Sequence, residues 1–154
     1  MNAIDTNAGG WEKSELRQKM NSGEIWNLMP ADFQSKVRPV NKLTNNVTGT
    51  DKNAAVTTTS DKLFLLSYSE IVPTSYWASS FPWTFSEGAQ YEAFKGKVTS
   101  NYSWNDYLTG SYSWWERSVY PYNSTRFLLV NSSGYPSRDH SATSRFSILP
   151  AFCF

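Results

Sequence analysis

Near the start of the chain, one stretch has the spacing of a helix. In residues 9–25, Glu12, Leu16 and Met20 recur at intervals of four residues, which places them on one helical face. Gly23 is suited to end such a helix, because glycine readily adopts the left-handed conformation found after a last turn. The pattern therefore predicts a first helix over this stretch.

A second helix is predicted over residues 28–40. Pro30 suits a first helical turn, and Phe33 and Val37 share a face. Pro39 marks the end, since proline lacks the N–H that a helix interior requires.

Short apolar runs replace helical spacing in the rest of the chain. Strands are predicted at 61–67, 111–118, 126–134 and 145–154, joined by long ordered loops. Residues 42–60 are rich in Thr, Asn and Gly, which predicts a loop or a floppy hairpin that cannot pack a core. The expected architecture is α+β, with two N-terminal helices and a small, mostly antiparallel sheet. The core expected around the last strands is Trp114, Trp115, Phe127, Leu129, Ile148 and Phe152.

Composition narrows the class of protein. A chain of 154 residues predicts one domain, here over 9–154, and the net charge of +1 argues against a nucleic-acid binder. No apolar run exceeds about four residues, so membrane insertion is not expected. The start lacks the pattern of a signal peptide, and residues 1–8 predict a disordered start or a linker. Cys153 has apolar neighbours, which predicts a buried, inert thiol.

The last quarter of the chain has an unusual composition. Ser137–Arg145, SRDHSATSR, carries the only histidine and lies between the apolar runs FLLV and FSILPAFCF. Lys, Glu, Gln, Met and Trp together number 28, and none of them occurs after Glu116. Solvent exposure gives no reason to avoid Lys, Glu and Gln together. The genetic code groups all five, because none has a codon that ends in a pyrimidine.

Seven segments resemble, in order and spacing, a bacterial and phage domain family of unknown function with a C-type-lectin-like fold. They are GGWEKSELRQKMN, MPADFQSKVRPVNKLTNN, TTTSDKLFLLSYSEI, SEGAQYEAF, WWERS, FLLVNSSG and LPAFCF. Many members are variable proteins of diversity-generating retroelements. In those systems adenines are randomised, so AAY codons become NNY, which never encodes the five missing residue types. Glu116 departs from the family, which usually has leucine there.

The resemblance implies that a fixed frame displays a hypervariable C-terminal surface, at a phage tail or on a bacterial cell. Residues 120–126 and 135–146 would form the loops and strand faces of that surface. The expected partner is a protein or glycan receptor on a bacterial cell surface. A homo-oligomer of the full-length protein would be compatible with this function. The residues expected to contact the ligand are Tyr120, Tyr122, Asn123, Arg126, Tyr135, Arg138, Asp139, His140, Thr143 and Arg145.

Two other functions stay open. One is a structural tail or surface component whose loops meet a neighbouring subunit. The other is an enzyme, since formylglycine-generating enzymes share the broad fold, but their paired cysteines are absent and no catalytic residues are expected. Trp104, Asn105 and Asp106 match a calcium motif of lectins, but two oxygen-bearing residues are too few for Ca²⁺. A local turn is the expected alternative there, with no metal and no cofactor.

Overall fold

The computed structural model describes all 154 residues. In it the N-terminal helices are shorter than the sequence pattern predicts. Helix α1 is Glu15–Asn21, α2 is Glu24–Asn27 and α3 is Ala31–Lys36. The stretch predicted as one helix over 9–25 is thus a run of turns, then α1, then α2. Gly10 explains the late start, because its φ is +53° and a Cβ atom there would lie 2.0 Å from the Asn45 carbonyl oxygen.

Some local signals in these helices agree with the prediction, whereas Glu12 lies before α1 and the cap at Ser14 was not predicted. Ser14 caps α1 by accepting a hydrogen bond from the Arg17 amide at 3.2 Å, and Leu16 and Met20 are the buried face of the helix. Pro30 directly precedes α3, but this helix ends at Lys36, well short of residue 40. The chain after it continues into a strand.

A hairpin follows, formed by β1, Val40–Asn45, and β2, Val56–Asp61. The hairpin was one of the two predicted alternatives, but the expectation that it cannot pack a core is wrong. Lys42, Thr44 and Asp61 are buried in it. Burial is tolerated because each polar end finds a partner, as when the Trp11 indole and the Arg17 guanidinium both donate to Asp61.

The main sheet has the order β3-β4-β5 and is antiparallel. Its strands are β3, Trp114–Val119, β4, Arg126–Val130, and β5, Arg138–Ser141. The predicted strands at 111–118 and 126–134 correspond to β3 and β4. A bulge in β3 between Trp115 and Val119 shifts the register. Four of the expected core residues are buried in this sheet: Trp114, Trp115, Phe127 and Leu129.

Two predicted strands do not form. Residues 62–67 are largely buried but make a single bridge, from Phe64 to Ala151. The C-terminal segment 145–154 bridges in turn to three separate partners, and Pro150 cannot donate to a ladder. This segment runs along the surface, so the remaining core predictions were wrong: Ile148 and Phe152 are exposed, as is the Cys153 thiol.

A long ordered segment, residues 62–113, connects the two sheets. It contains helix α4, Tyr68–Ile71, and two 3-10 turns, Pro82–Phe85 and Asp106–Leu108. Helix α4 begins with a capping box, in which Ser67 and Glu70 each accept the other's backbone amide. The fold is α+β, with few helices and small antiparallel sheets. The helices are too short and too polar for any of them to span a lipid bilayer.

The first eight residues differ from the expected disordered start or linker, because they pack onto the domain. Asn7 is fully buried, and its amide nitrogen donates to the carbonyls of Asn123 at 2.7 Å and Arg126 at 2.8 Å. Its side-chain oxygen accepts from the Thr48 hydroxyl at 3.0 Å. The N-terminal segment therefore fixes the base of the loop between β3 and β4.

Candidate ligand-binding surface

The loop that follows β3 lies beside one face of the main sheet, the face that carries Asp139 of β5. The Tyr120 amide donates to the Arg126 carbonyl at 3.0 Å, which places these two residues side by side. In the register of β4 with β5, Arg126 is the diagonal neighbour of Asp139. Arg126 Nη1 lies 2.8 Å from Asp139 Oδ2, and the two side chains are 47% and 20% exposed.

Tyr120 and Tyr122 continue this face over a buried aromatic floor. The Tyr120 ring lies 6.0 Å from the Trp77 ring and 6.0 Å from the Tyr122 ring, which in turn lies 5.1 Å from the Phe81 ring. Trp77 and Phe81 are buried, whereas Tyr122 is 58% exposed. Edge-to-face contacts of this kind fix ring orientation, so the tyrosines stand on a rigid base.

Two further tyrosines extend the surface and were missed by sequence reasoning. Tyr76 is 52% exposed, Tyr102 is 48% exposed, and their rings stack at 4.1 Å. Tyr76 also contacts Trp77 at 5.6 Å. Aromatic density in the irregular segment was the only sequence signal for them. We call this face the tyrosine surface: Tyr76, Tyr102, Tyr120 and Tyr122 with the Arg126–Asp139 pair.

Electrostatics keep the centre of this surface neutral. Burial, and next the nearby Asp139 carboxylate, raise the pKa of the Tyr120 hydroxyl above its ordinary value. The hydroxyl therefore stays protonated and can donate a hydrogen bond. Arg126 and Asp139 lie within hydrogen-bonding distance of each other, so the surface also carries one positive and one negative charge side by side.

Asn123 has a structural role in the loop rather than an outward-facing one. Its side-chain oxygen accepts from both the amide and the hydroxyl of Thr125, each at 2.7 Å. Its carbonyl accepts from Asn7. The side chain is only partly exposed, and its oxygen already serves the turn.

The remaining predicted contacts do not join the tyrosine surface. Side chains alternate along β5, so Arg138 and His140 lie on the face opposite Asp139. The Arg138 guanidinium lies 4.9 Å from the centre of the Tyr135 ring. His140 Nδ1 lies 2.6 Å from the Ser144 hydroxyl, and its ring packs against Phe146 at 5.0 Å.

All ten predicted residues are at least partly exposed, but the structure divides them between two faces. Thr143 and Arg145 follow β5 and are exposed beside the chain start, away from the tyrosine surface. Residues 135–146 were expected to form loops and strand faces, and the formation of β5 over Arg138–Ser141 is what places adjacent side chains on opposite faces.

A buried ionic network anchors β3 just before Tyr120. The Arg117 guanidinium donates to Glu70 and to the carbonyls of Leu65, Leu43 and Glu87. Burial alone would raise the pKa of Glu70, but Arg117 and, less strongly, Lys42 hold it below its ordinary value. The network therefore ties helix α4 and strand β1 to the strand that leads into the surface.

The residues of the lectin-like calcium motif form a compact loop. The Asn105 side-chain oxygen accepts from the amides of Thr99 and Ser100, and its nitrogen donates to the carbonyls of Ser100 and Ser103. All four hydrogen bonds are local, which agrees with the alternative of a turn. No group of three or more His, Cys, Asp or Glu side chains is placed to hold a metal ion.

Comparison with known proteins gives one match. No curated protein and no solved structure is similar to this chain. A family described as a domain of unknown function, DUF6273, matches residues 2–154, which is nearly the whole chain. The chain therefore belongs to the DUF6273 family.

Proposed function

We propose that this domain binds a receptor through the tyrosine surface, as the variable protein of a diversity-generating retroelement that displays a hypervariable C-terminal surface. We also propose that its fold is C-type-lectin-like. The short helices, the small antiparallel sheets and the long ordered segment at 62–113 support that fold. A bridge from Arg38 to Cys153, which brings the C-terminus beside the end of α3, fits the same proposal.

The observation that carries the proposal is the continuity of the tyrosine surface. Its residues come from two separate parts of the C-terminal tail, by which we mean residues 117–154, and from two loops of the segment 62–113. Their rings and charges nevertheless adjoin on one face. Tyrosine and arginine supply much of the energy at protein interfaces, because they combine large contact area with few rotatable bonds or with many donors.

The shape of this face favours an extended receptor. None of the surface cavities is lined by a residue of the tyrosine surface. A face without a pocket cannot enclose a small molecule, so binding rests on several shallow contacts. Many copies on a phage tail or on a bacterial surface would then gain strength by avidity. The receptor would be a protein or a glycan on a bacterial cell.

Binding of a labelled multimer of the domain to intact cells of candidate hosts tests the proposal. Tyr122→Ala and Arg126→Ala should each reduce binding by about tenfold or more, because each removes a large exposed contact. Tyr112→Ala is the matched control, since Tyr112 is 74% exposed but lies outside the tyrosine surface. Equal binding by all three variants, at unchanged melting temperature, would refute a receptor contact on this face.

A structural component of a tail or surface assembly is the second candidate, and one observation favours it. The exposed rings of Phe152 and Phe154 form a cluster with the half-buried ring of Phe33, with centres 4.9 to 5.9 Å apart. Exposed apolar clusters often mark contacts between subunits. Under this alternative Phe154→Ser disrupts assembly of the protein with its neighbouring subunits, whereas Tyr122→Ala leaves assembly unchanged.

A further inference from the structure

Two adjoining cavities lie beside the start of β3, away from the tyrosine surface. The first has a volume of about 500 Å³, and its walls are mostly apolar. A volume of 300 to 1,000 Å³ is typical of small-molecule sites. The apolar walls are formed by Leu66, Phe94, Tyr107, Leu108, Trp114 and Leu149.

The second cavity, of about 480 Å³, is more polar and contains Arg145. Ser111, Tyr112 and Ser147 line both cavities, so the two cavities adjoin. The pair of cavities thus has one apolar end and one cationic end.

Arg145 is free to bind an anion. Its side chain is exposed and has no carboxylate partner within 4.0 Å. By contrast, Arg17, Arg117 and Arg126 each form an ion pair. A guanidinium without a carboxylate partner, in a cavity that adjoins an apolar one, is suited to a carboxylate, which it can bind through two parallel hydrogen bonds.

We propose that these cavities bind a small amphipathic carboxylate, with its apolar group in the first cavity and its carboxylate on Arg145. A peptide added as a strand is disfavoured, because the outer edge of β3 is occupied. The Trp115 amide donates to the Ser147 carbonyl at 3.2 Å, and the Ser147 amide donates to the Ser113 carbonyl at 3.1 Å. A compact ligand that needs no backbone ladder fits this geometry.

Calorimetry with octanoate, 1-octanol and acetate tests the site on the intact chain. Octanoate should bind saturably and at least about tenfold more tightly than either of the others, since only octanoate fills both ends. Arg145→Gln should weaken octanoate binding by about tenfold and leave octanol binding unchanged. Arg138→Gln is the matched control, because Arg138 is exposed but lines neither cavity.

Leu149→Ser tests the apolar end, and Leu149 is exposed enough for the variant to fold. It should weaken octanoate and octanol alike, while acetate stays weak. Absence of saturable octanoate binding, or octanoate binding that Arg145→Gln leaves unchanged, would overturn the proposal. Tighter binding of an acidic peptide than of octanoate would also overturn it. The site is independent of the tyrosine surface, with which it shares no residue.

Discussion

Replacing Glu116 measures what a buried, unpartnered carboxyl group does to the stability of this domain. Glu116 is fully buried in β3, and neither of its oxygens has a hydrogen-bond partner. Burial, and next the nearby Glu87, raise the pKa of Glu116 well above its ordinary value, and Arg117 offsets only part of this. The folded protein therefore holds the Glu116 proton to a higher pH than the unfolded chain does.

The sign of the pH dependence follows from proton binding. Above about pH 4.3 the unfolded chain releases the proton that folded Glu116 keeps. Its contribution to stability is thus complete below that pH and is lost as pH rises, by about 1.4 kcal/mol per pH unit, until the folded pKa is reached. Glu87, whose pKa is raised by burial, acts in the same direction. Glu70, whose pKa is lowered, loses its contribution as pH falls.

Two variants separate the effect of the Glu116 titration on stability from the effect of its buried polar atoms without partners. Glu116→Gln removes the titration but keeps a polar group without partners. Glu116→Leu removes both, and the loss of the unsatisfied polar atoms should add about 1 to 3 kcal/mol of stability. Both variants should therefore gain on the wild type as pH rises, and the leucine variant should be the more stable of the two.

Urea unfolding at several values between about pH 5 and pH 8 measures these differences. Glu87→Gln is the matched control, because Glu87 is equally buried but accepts from Thr44, Asn45 and Ser118. An amide there can keep its oxygen on Thr44 and Asn45, but its N–H group then takes the place of the oxygen to which the Ser118 hydroxyl donates, so this variant should lose about 1 to 3 kcal/mol. The reasoning fails if Glu116→Leu is destabilised like Glu87→Gln, or if its gain does not change with pH.

Three further outcomes are expected. Asn7→Ala should lower the free energy of unfolding by about 2 to 4 kcal/mol, since a buried side chain loses several hydrogen bonds, and denaturant unfolding measures it. Cys153 should react with a thiol reagent in the native state about as fast as in urea, because it is exposed, and slow native reaction would contradict this. Asn105→Ala should lower the melting temperature by the same amount with and without calcium, because its bonds are local, and a larger loss in the presence of calcium would indicate a metal site that the variant has lost.

Signals that depend on a single residue and its neighbours were predictive. The serine–glycine turn that ends β4 and the proline before α3 lie where expected, because their backbone preferences act locally. The buried pairs in β3 and β4 were also found, since large apolar side chains in short runs have few other places to go. Helix lengths were not found, because Gly10 is constrained by the distant Asn45.

Polar burial could not be predicted from the local pattern. Lys42 lies in a stretch that reads as a loop, yet it is buried against Glu70 and over the Phe64 ring. These partners are far apart in sequence, and only the tertiary fold supplies them. The prediction for the C-terminal run FSILPAFCF was wrong in the opposite direction. Its apolar pattern suggested core, but its bridges to Arg38, Phe64 and Trp114 hold it at the surface.

The candidate surface was predictable only in part for a similar reason. Tyr120, Tyr122, Arg126 and Asp139 came from the composition of the tail and the family resemblance. Their meeting with Tyr76 and Tyr102 depends on how an irregular segment packs under the sheet, for which sequence periodicity carries no signal.

The buried and exposed positions of the C-terminal tail predict which of its residues should vary if the domain displays a diversified surface. Ala142 is fully buried and Ser137 is 7% exposed, whereas Tyr122, Arg126 and His140 are exposed. A tyrosine or phenylalanine at 142 would overpack the core at a cost of about 1 to 3 kcal/mol or more. If the tail is diversified for binding, sibling copies should vary at the exposed positions through NNY codons, while 137 and 142 stay small. Variation spread evenly over buried and exposed positions would instead favour a structural role, because selection would then act on the whole domain and not on one displayed face.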